Sequence, residues 1–238
     1  MNSNLPHGIP LHAAIRLRAL GAKVVAIGDP VYPAGLRDLA DPPAWLTVLG
    51  KLPLGGVAVI GSRNPPAVAA DFAFALAGML GLPIISGLAS GIDTAAHRGA
   101  LAHGVATFAY VGTGLGVVYP TQNGSLAQTI VISGGGLGSE RLPDEPVTRR
   151  ALVRRDRLQA AHARVVVLIC SEARGGAMHT MRFAKRLRRP RFALDSLDGR
   201  DFAGNRRALA DGALPLPWNL TDASRMLWAV HKRMADAT

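Results

Sequence analysis

The fold of this chain is decided by one stretch, Ser86-Gly87-Leu88-Ala89-Ser90-Gly91-Ile92-Asp93-Thr94-Ala95-Ala96-His97. It follows a short apolar run, which predicts a strand that ends in a tight glycine turn and continues into a helix from about Gly91. In a doubly wound sheet such turns lie at the carboxyl ends of the strands, where glycine lets backbone NH groups approach an anion. The sequence therefore predicts an anion-binding crevice at this turn.

The glycine turn and the helical turn after it supply the first candidate binding residues: Ser86, Gly87, Gly91, Asp93, His97 and Arg98. A capping role suits Asp93 equally well, because an acidic residue is favoured in the first turn of a helix. A lone helical histidine is more often a packing or surface residue, so His97 is not predicted to be catalytic. We expect binding rather than catalysis at this turn.

From Gly56 onward, short β-branched runs alternate with Ala-rich stretches, which is typical of a parallel sheet flanked by helices. The pattern predicts an α/β fold of the Rossmann-like, doubly wound kind, with a mostly parallel sheet and helices on both faces. The predicted strands are 57–61, 84–86, 106–111, 130–133, 165–170 and 191–194. The predicted helices between them are 67–80, 91–103, 122–129, 148–163 and 178–188.

The length of 238 residues predicts one large domain with small additions. Residues 1–55 hold seven prolines, which indicates a lead-in of short helices and turns rather than a second domain. Residues 56–215 are predicted to form the core, and residues 216–238 a C-terminal helix.

Two other predicted strands also end in glycine turns. The first strand ends in Gly61-Ser62-Arg63, and the strand at 165–170 is followed by Arg174-Gly175-Gly176-Ala177-Met178-His179-Thr180. A hydroxyl or a guanidinium beside a glycine suits a phosphate group, although a purely structural role fits the first of these turns about equally well. The candidates from these turns are Gly61, Ser62, Arg63, Gly175, Gly176 and Thr180.

The glycine run after the third core strand does not predict a dinucleotide site. Gly112-Thr113-Gly114 has the required spacing, but the dinucleotide fingerprint opens directly into a long helix. Here Val117-Val118-Tyr119-Pro120 follows instead, which predicts a loop over the crevice. Neither a cofactor nor a metal ion is predicted.

The helix at 148–163 is rich in arginine. Arg150, Arg154 and Arg157 recur at a spacing that places them on one helix face, and Arg155 lies beside them. A solvated charged face, with Asp156 as an internal partner, is the plainer interpretation. The scarcity of acidic residues favours a track for phosphate groups instead.

Composition points to a polyanionic partner. Lys and Arg total 27 against 16 acidic residues, and the net charge of +11 suits nucleic acid or an anionic membrane surface. Cys170, the one cysteine, lies in an apolar run, which excludes an intramolecular disulfide and fits a reducing cytoplasm. No segment has the pattern of a signal peptide or a membrane span.

The order of these motifs resembles the DprA/Smf family of bacterial DNA-processing proteins. The resemblance is carried by Gly61-Ser62-Arg63, the Ser86 to His97 stretch, Val117-Val118-Tyr119-Pro120, Ser139-Glu140 and Arg155-Asp156-Arg157, and it covers residues 31–213. It implies a non-enzymatic protein that binds and protects single-stranded DNA. It also implies that the protein helps to load a RecA-type recombinase in transformation or homologous recombination, usually as a homodimer.

The sequence departs from the family pattern at several positions. The family's Arg-Asn-Arg appears as Arg155-Asp156-Arg157, the aromatic position before it is Leu152, and Val-Pro-Gly appears as Ala193-Leu194-Asp195.

Two other functions on the same fold stay open. One is a LOG-type phosphoribohydrolase acting on nucleoside monophosphates, suggested by the run from Ser133 to Glu140. In this chain Glu140 follows Ser139 at once and Pro143 breaks any helix, so the carboxylate is expected to point elsewhere. The other is a sensor that binds a small nucleotide, which needs fewer arginines than a strand does.

Overall fold

The structure is a computed structural model that describes residues 9–196 and 199–236. Within them the chain forms a single sheet of nine strands. In chain order the strands are β1 (Lys23–Ala26), β2 (Trp45–Gly50), β3 (Val57–Ile60), β4 (Ile84–Ser86), β5 (Thr107–Tyr110), β6 (Gly136–Ser139), β7 (Val165–Leu168), β8 (Arg191–Leu194) and β9 (Leu214–Leu216).

Eight α-helices accompany the sheet in the same described residues. They are α1 (Leu11–Ala19), α2 (Ala67–Met79), α3 (Ile92–Ala102), α4 (Gly124–Ile132), α5 (Arg149–His162), α6 (Ala177–Arg186), α7 (Ala203–Ala210) and α8 (Leu220–Asp236). Two 3-10 turns lie at Ala34–Asp38 and Thr121–Asn123. None of the helices in the described ranges is long and apolar enough to cross a bilayer.

The predicted doubly wound fold is confirmed. The strand order is β1-β2-β6-β5-β4-β3-β7-β8-β9, and the seven strands from β6 to β9 in this order are parallel. The chain winds outward from β3 in both directions, first through β4, β5 and β6 and then through β7, β8 and β9. The carboxyl end of β3 is therefore the switch point, where such folds bind their ligands.

Both faces of the sheet are covered by helices. Val57 and Val59 of β3 pack on one face with α2, α3 and α8, whereas Ala58 and Ile60 pack on the other with α5 and α6. Burial on both faces explains why the central strands are continuous apolar runs rather than alternating ones.

The lead-in differs from its prediction, because residues 23–26 and 45–50 are strands rather than helices or turns. The prolines flank β2 without interrupting it, and β2 pairs antiparallel with both β1 and β6. The lead-in thus completes one edge of the main sheet. The sequence from 216 onward contains the predicted final helix, α8.

The predicted strand at 130–133 is wrong. Residues 130–132 form the end of α4, with Ile130 buried and Ile132 82% exposed. The strand lies at Gly136–Ser139 instead, in a stretch whose glycines have low strand propensity. Glycine is needed there because a Cβ on Gly138 would lie 2.7 Å from the Phe108 ring.

Candidate functional site

A crevice with a volume of about 550 Å³ opens at the switch point. Its walls are the loops after β3 and β4, the N-terminal half of α5 and the N-terminus of α6. Six of the residues predicted from the sequence line it together: Gly61, Arg63, Asp93, Arg155, Gly176 and Thr180.

The loop after β3 is held against the start of α3. Ser62 donates its backbone NH to the Cys170 carbonyl at 2.8 Å and accepts from the Ile92 NH at 3.1 Å. Gly91 has a φ of 77°, and a Cβ there would overlap the Ser62 carbonyl oxygen. The glycine therefore permits the close approach that fixes the neighbouring Arg63 at the mouth of the crevice.

The turn after β4 is organised from inside by Asp93. This carboxylate is buried and accepts the Gly87 NH at 3.0 Å. Burial raises the pKa of Asp93, and the nearby Arg155 opposes that rise. Because the Gly87 NH is already used by Asp93, it is not available to a phosphate. Asp93 lies in the first turn of α3 and makes no capping hydrogen bond there; its carboxylate holds the preceding glycine turn instead.

Arg155 forms the floor of the crevice and is only 4% exposed. Its Nη1 donates to the Tyr110 carbonyl at 2.8 Å, and its Nε lies 3.3 Å from Oδ1 of Asp156. Burial raises the pKa of Asp156 to about 7; Arg155 acts against this shift and Asp93 adds to it. One guanidinium thus stabilises two carboxylates, so little of its charge remains for a ligand.

Three exposed arginines surround the crevice, and we call them the rim arginines: Arg63, Arg149 and Arg174. In the described ranges none of their guanidiniums makes a hydrogen bond or an ion pair, although Arg63 lies near enough to Asp156 to lower the pKa of that carboxylate. Guanidiniums without a carboxylate partner remain available to bind an anion. The mouth of the crevice is therefore its most cationic part.

The three arginines predicted as a phosphate track, Arg150, Arg154 and Arg157, lie on a different side of α5; we call them the α5 stripe. Arg157 is buried and ion-paired with Glu140. Arg154 pairs with Glu140 at 2.9 Å and with Asp41 at 3.0 Å. Burial lowers the pKa of Arg157, and Glu140 opposes that shift. Two of the three guanidiniums are thus occupied by acidic partners, and none of the three lines the crevice.

Comparison with known proteins identifies the family. The family model of DNA recombination-mediator protein A matches residues 23–227. The chain belongs to this family.

Three members illustrate how far the likeness extends. Protein Smf of Synechocystis is 32% identical over 196 residues, which make up 78% of this chain and 49% of that protein. This chain thus spans about half the length of that relative. DNA processing protein A (DprA) of Streptococcus pneumoniae superposes with a TM-score of 0.78 at 32% identity, covering 87% of this chain and 73% of that one. The family member from Helicobacter pylori, described for its unique single-stranded DNA binding mode, superposes with a TM-score of 0.77 at 26% identity, covering 88% of this chain and 97% of that one.

In the present chain, the remaining candidates from the sequence lie away from the mouth of the crevice. Ser86 is buried and donates its hydroxyl to the Val59 carbonyl at 2.7 Å. His97 has no exposed surface: its Nδ1 lies 2.7 Å from the Thr107 hydroxyl, and burial lowers its pKa to about 3. Arg98 is exposed but does not line the crevice. Ser86 and His97 therefore stabilise the core beneath the site.

Two candidates from the loops have local roles. The Ser62 hydroxyl accepts the Asn64 NH at 3.1 Å, which shapes the loop that carries Arg63. Gly175 packs against Ser171 and lines a neighbouring hollow rather than the crevice.

Sequence reasoning missed Tyr119, Arg149 and Arg174 as parts of the site, and all three line the crevice. Tyr119 is 39% exposed and lies beside Arg63 and Leu152. The signal for Tyr119 was an aromatic residue in a loop that follows the carboxyl end of a core strand. Arg149 directly precedes the candidate Arg150, and Arg174 directly precedes the candidate Gly175. The sequence does not show that their side chains point into the crevice.

Proposed function

We propose that this chain binds single-stranded DNA in the crevice at the switch point. The observation that carries the proposal is the set of three rim arginines, Arg63, Arg149 and Arg174, which line the crevice and form no ion pair within the described residues. Membership of the DNA recombination-mediator family, with a Helicobacter pylori member described for its single-stranded DNA binding mode, supports the same ligand.

The phosphate groups of the strand would bind at the mouth of the crevice. The rim arginines present planar guanidiniums that suit phosphate oxygens, and Gly176 lies exposed at the N-terminus of α6. Each phosphate that is neutralised releases counterions, so binding should weaken steeply as salt is added.

The bases would bind deeper, against Tyr119 and the side chains of Leu152 and Val153. An exposed aromatic ring stacks on any base, because every base has a π-face. Stacking of this kind needs unpaired bases, so the crevice should prefer single strands to duplex and should tolerate any sequence.

Rival functions on this fold have less support from the geometry. Glu140, the residue that suggested a phosphoribohydrolase, is held by Arg154 and Arg157 outside the crevice. The crevice is also bordered by more unpaired cations than a mononucleotide requires. Binding without catalysis is therefore the function we propose.

By the family resemblance, we further propose that the protein protects the strand and passes it to a RecA-type recombinase as a homodimer. Light scattering on the purified protein would test the dimer. A strand-loading assay with a purified recombinase would test the transfer, and no stimulation of loading would refute this step while leaving strand binding intact.

The binding test compares Arg63→Ala with Arg98→Ala, which removes the same charge from an exposed position outside the crevice. Fluorescence anisotropy with labelled single-stranded and duplex oligonucleotides at two salt concentrations gives the affinities. Loss of a charge-assisted contact of about 1.5–3 kcal/mol should weaken binding roughly 10- to 150-fold for Arg63→Ala. Arg98→Ala should leave binding near that of the parent.

Equal affinities for the Arg63→Ala and Arg98→Ala variants would reject the crevice as the binding site. Hydrolysis of AMP by the parent protein, assayed in parallel, would favour the enzymatic alternative.

A further inference from the structure

A second basic hollow lies beside the crevice, bordered by α6 and α7, with a volume of about 660 Å³. We call it the α6/α7 groove. Its lining contains one carboxylate, Asp211, and six cationic side chains: Arg174, Arg182, Lys185, Arg186, Arg191 and Arg207.

Most of this positive charge is not neutralised within the described chain. Asp211 pairs with Lys185 and with Arg191, the latter at 3.3 Å. Arg207 donates to the neutral Ala173 carbonyl at 3.2 Å, and Arg186 lies over the Phe183 ring, 5.8 Å from its centre. In residues 9–196 and 199–236, Arg174, Arg182, Arg186 and Arg207 have no ion pair with a carboxylate.

The groove is continuous with the crevice. Arg174 and His179 line both hollows, and Arg182 contacts His179 from the groove side. Burial, then Arg182 and Arg149, lower the pKa of His179, which keeps its ring neutral and able to accept from the Arg182 guanidinium. The cationic lining of the groove therefore meets that of the crevice at Arg174.

The floor of the groove is apolar. Met178, Met181 and Ala208 line it beneath the cationic rim. A floor of this kind can receive the flat face of a base, while the rim receives the phosphate groups. Since α6 has ten residues, the groove adds about 15 Å of path beyond the crevice.

We infer that the α6/α7 groove binds the continuation of the same DNA strand after it leaves the crevice past Arg174 and His179. This inference rests on the proposed function. A row of unpaired like charges along one path suits a polymer with one charge at each step better than a ligand with a single anionic group. The protein would thus bind a long strand by two connected segments.

The test uses Arg186→Ala/Arg207→Ala, in which both residues are exposed and neither lines the crevice. The matched control is Arg18→Ala/Arg98→Ala, which removes the same net charge at exposed positions outside both hollows. The probes are labelled oligothymidylates of roughly 6 and roughly 20 nucleotides, chosen to fill the crevice alone or both segments.

For the groove variant, affinity for the long probe should fall about tenfold and its salt slope by about 1.4, as expected for two lost phosphate contacts on a single strand. Its affinity for the short probe should match that of the parent. Loss of long-probe affinity no greater than in the control variant would overturn the inference, and so would equal loss on both probes.

Two further measurements separate this inference from its alternatives. A polyglutamate of matched charge that displaces the long probe as well as unlabelled oligothymidylate does would assign the groove to an acidic peptide and overturn the inference. If Arg63→Ala binds the short probe as the parent does, the proposed crevice function fails, whereas the length-dependent loss reports on the groove alone.

Discussion

The rim arginines and the α5 stripe lie on neighbouring surfaces, but only the α5 stripe has ion-pair partners among the described residues. Arg63, Arg149 and Arg174 surround a crevice and have no acidic partner in the described residues, whereas Arg154 and Arg157 face Glu140. The contrast shows that an arginine-rich helix face does not by itself make a phosphate track. What decides is whether the fold brings a carboxylate to that face.

The largest expected effect concerns a third kind of arginine, the buried Arg155. Arg155→Ala would remove the main counter-charge of Asp93 and Asp156 and the guanidinium that donates to the Tyr110 carbonyl. Breaking a buried ion pair in this way should lower the free energy of unfolding by about 3–5 kcal/mol, measured by urea denaturation.

Arg150→Ala is the control for Arg155→Ala, since Arg150 is exposed and has no partner among the described residues. It should change the stability by no more than about 0.5 kcal/mol. Similar stabilities for the two variants would show that Arg155 is not the centre of the crevice floor.

The next effect tests whether the crevice binds bases as well as phosphates. Tyr119→Ala should weaken single-stranded DNA binding by about 1–3 kcal/mol, because it removes an exposed ring on which a base can stack. Tyr119→Phe keeps the ring and should bind like the parent. A loss of affinity in the phenylalanine variant would assign the effect to the hydroxyl instead.

A smaller effect concerns pH. Because burial raises the pKa of Asp156 to about 7, this carboxylate loses its charge as the pH falls from about 8 to about 6. If the crevice binds DNA as proposed, removing this negative charge should tighten binding roughly fivefold, because the repulsion it exerts on a phosphate is on the order of 1 kcal/mol. Asp156→Asn should bind tightly at both pH values, as measured by anisotropy.

The same pKa shift affects stability. The folded-state pKa of Asp156 lies above the ordinary value of 3.8, so the folded protein binds the proton more tightly than the unfolded chain does. The contribution of Asp156 to stability is therefore greatest below about pH 4 and is lost as the pH rises towards 7. His179 also lines the crevice, and burial, then Arg182 and Arg149, lower its pKa from the ordinary value of 6.5. If the DNA affinity of Asp156→Asn changed with pH as much as that of the parent, Asp156 would not be the group responsible for the pH dependence of binding.

The smallest expected effect is that of Arg154, and a large effect would contradict the difference between the rim arginines and the α5 stripe. Arg154→Ala removes exposed ion pairs to Glu140 and Asp41 and should cost at most about 1 kcal/mol of stability. Its affinity for single-stranded DNA should stay within about twofold of the parent, because its charge is already neutralised. A loss as large as that expected for Arg63→Ala would return the α5 stripe to the binding site.

The errors in sequence interpretation have a common physical origin. The run at 130–133 is β-branched, but Leu126, Ala127 and Ile130 face the core together only as a helix, and that depends on what packs beneath them. The lead-in strands form because β6 offers β2 a partner from far along the chain. Tyr119 was passed over because the sequence predicts a loop over the crevice there but does not show that the ring of Tyr119 lines it.

The sequence by itself determined the doubly wound fold and the position of the crevice, because both depend on local patterns: apolar runs, glycine turns and the helix starts that follow them. Only the tertiary structure decided which arginines remain available to a ligand. Glu140 and Asp41 come from other parts of the chain to neutralise the α5 stripe, and no spacing within one helix can reveal a counter-charge supplied by another segment.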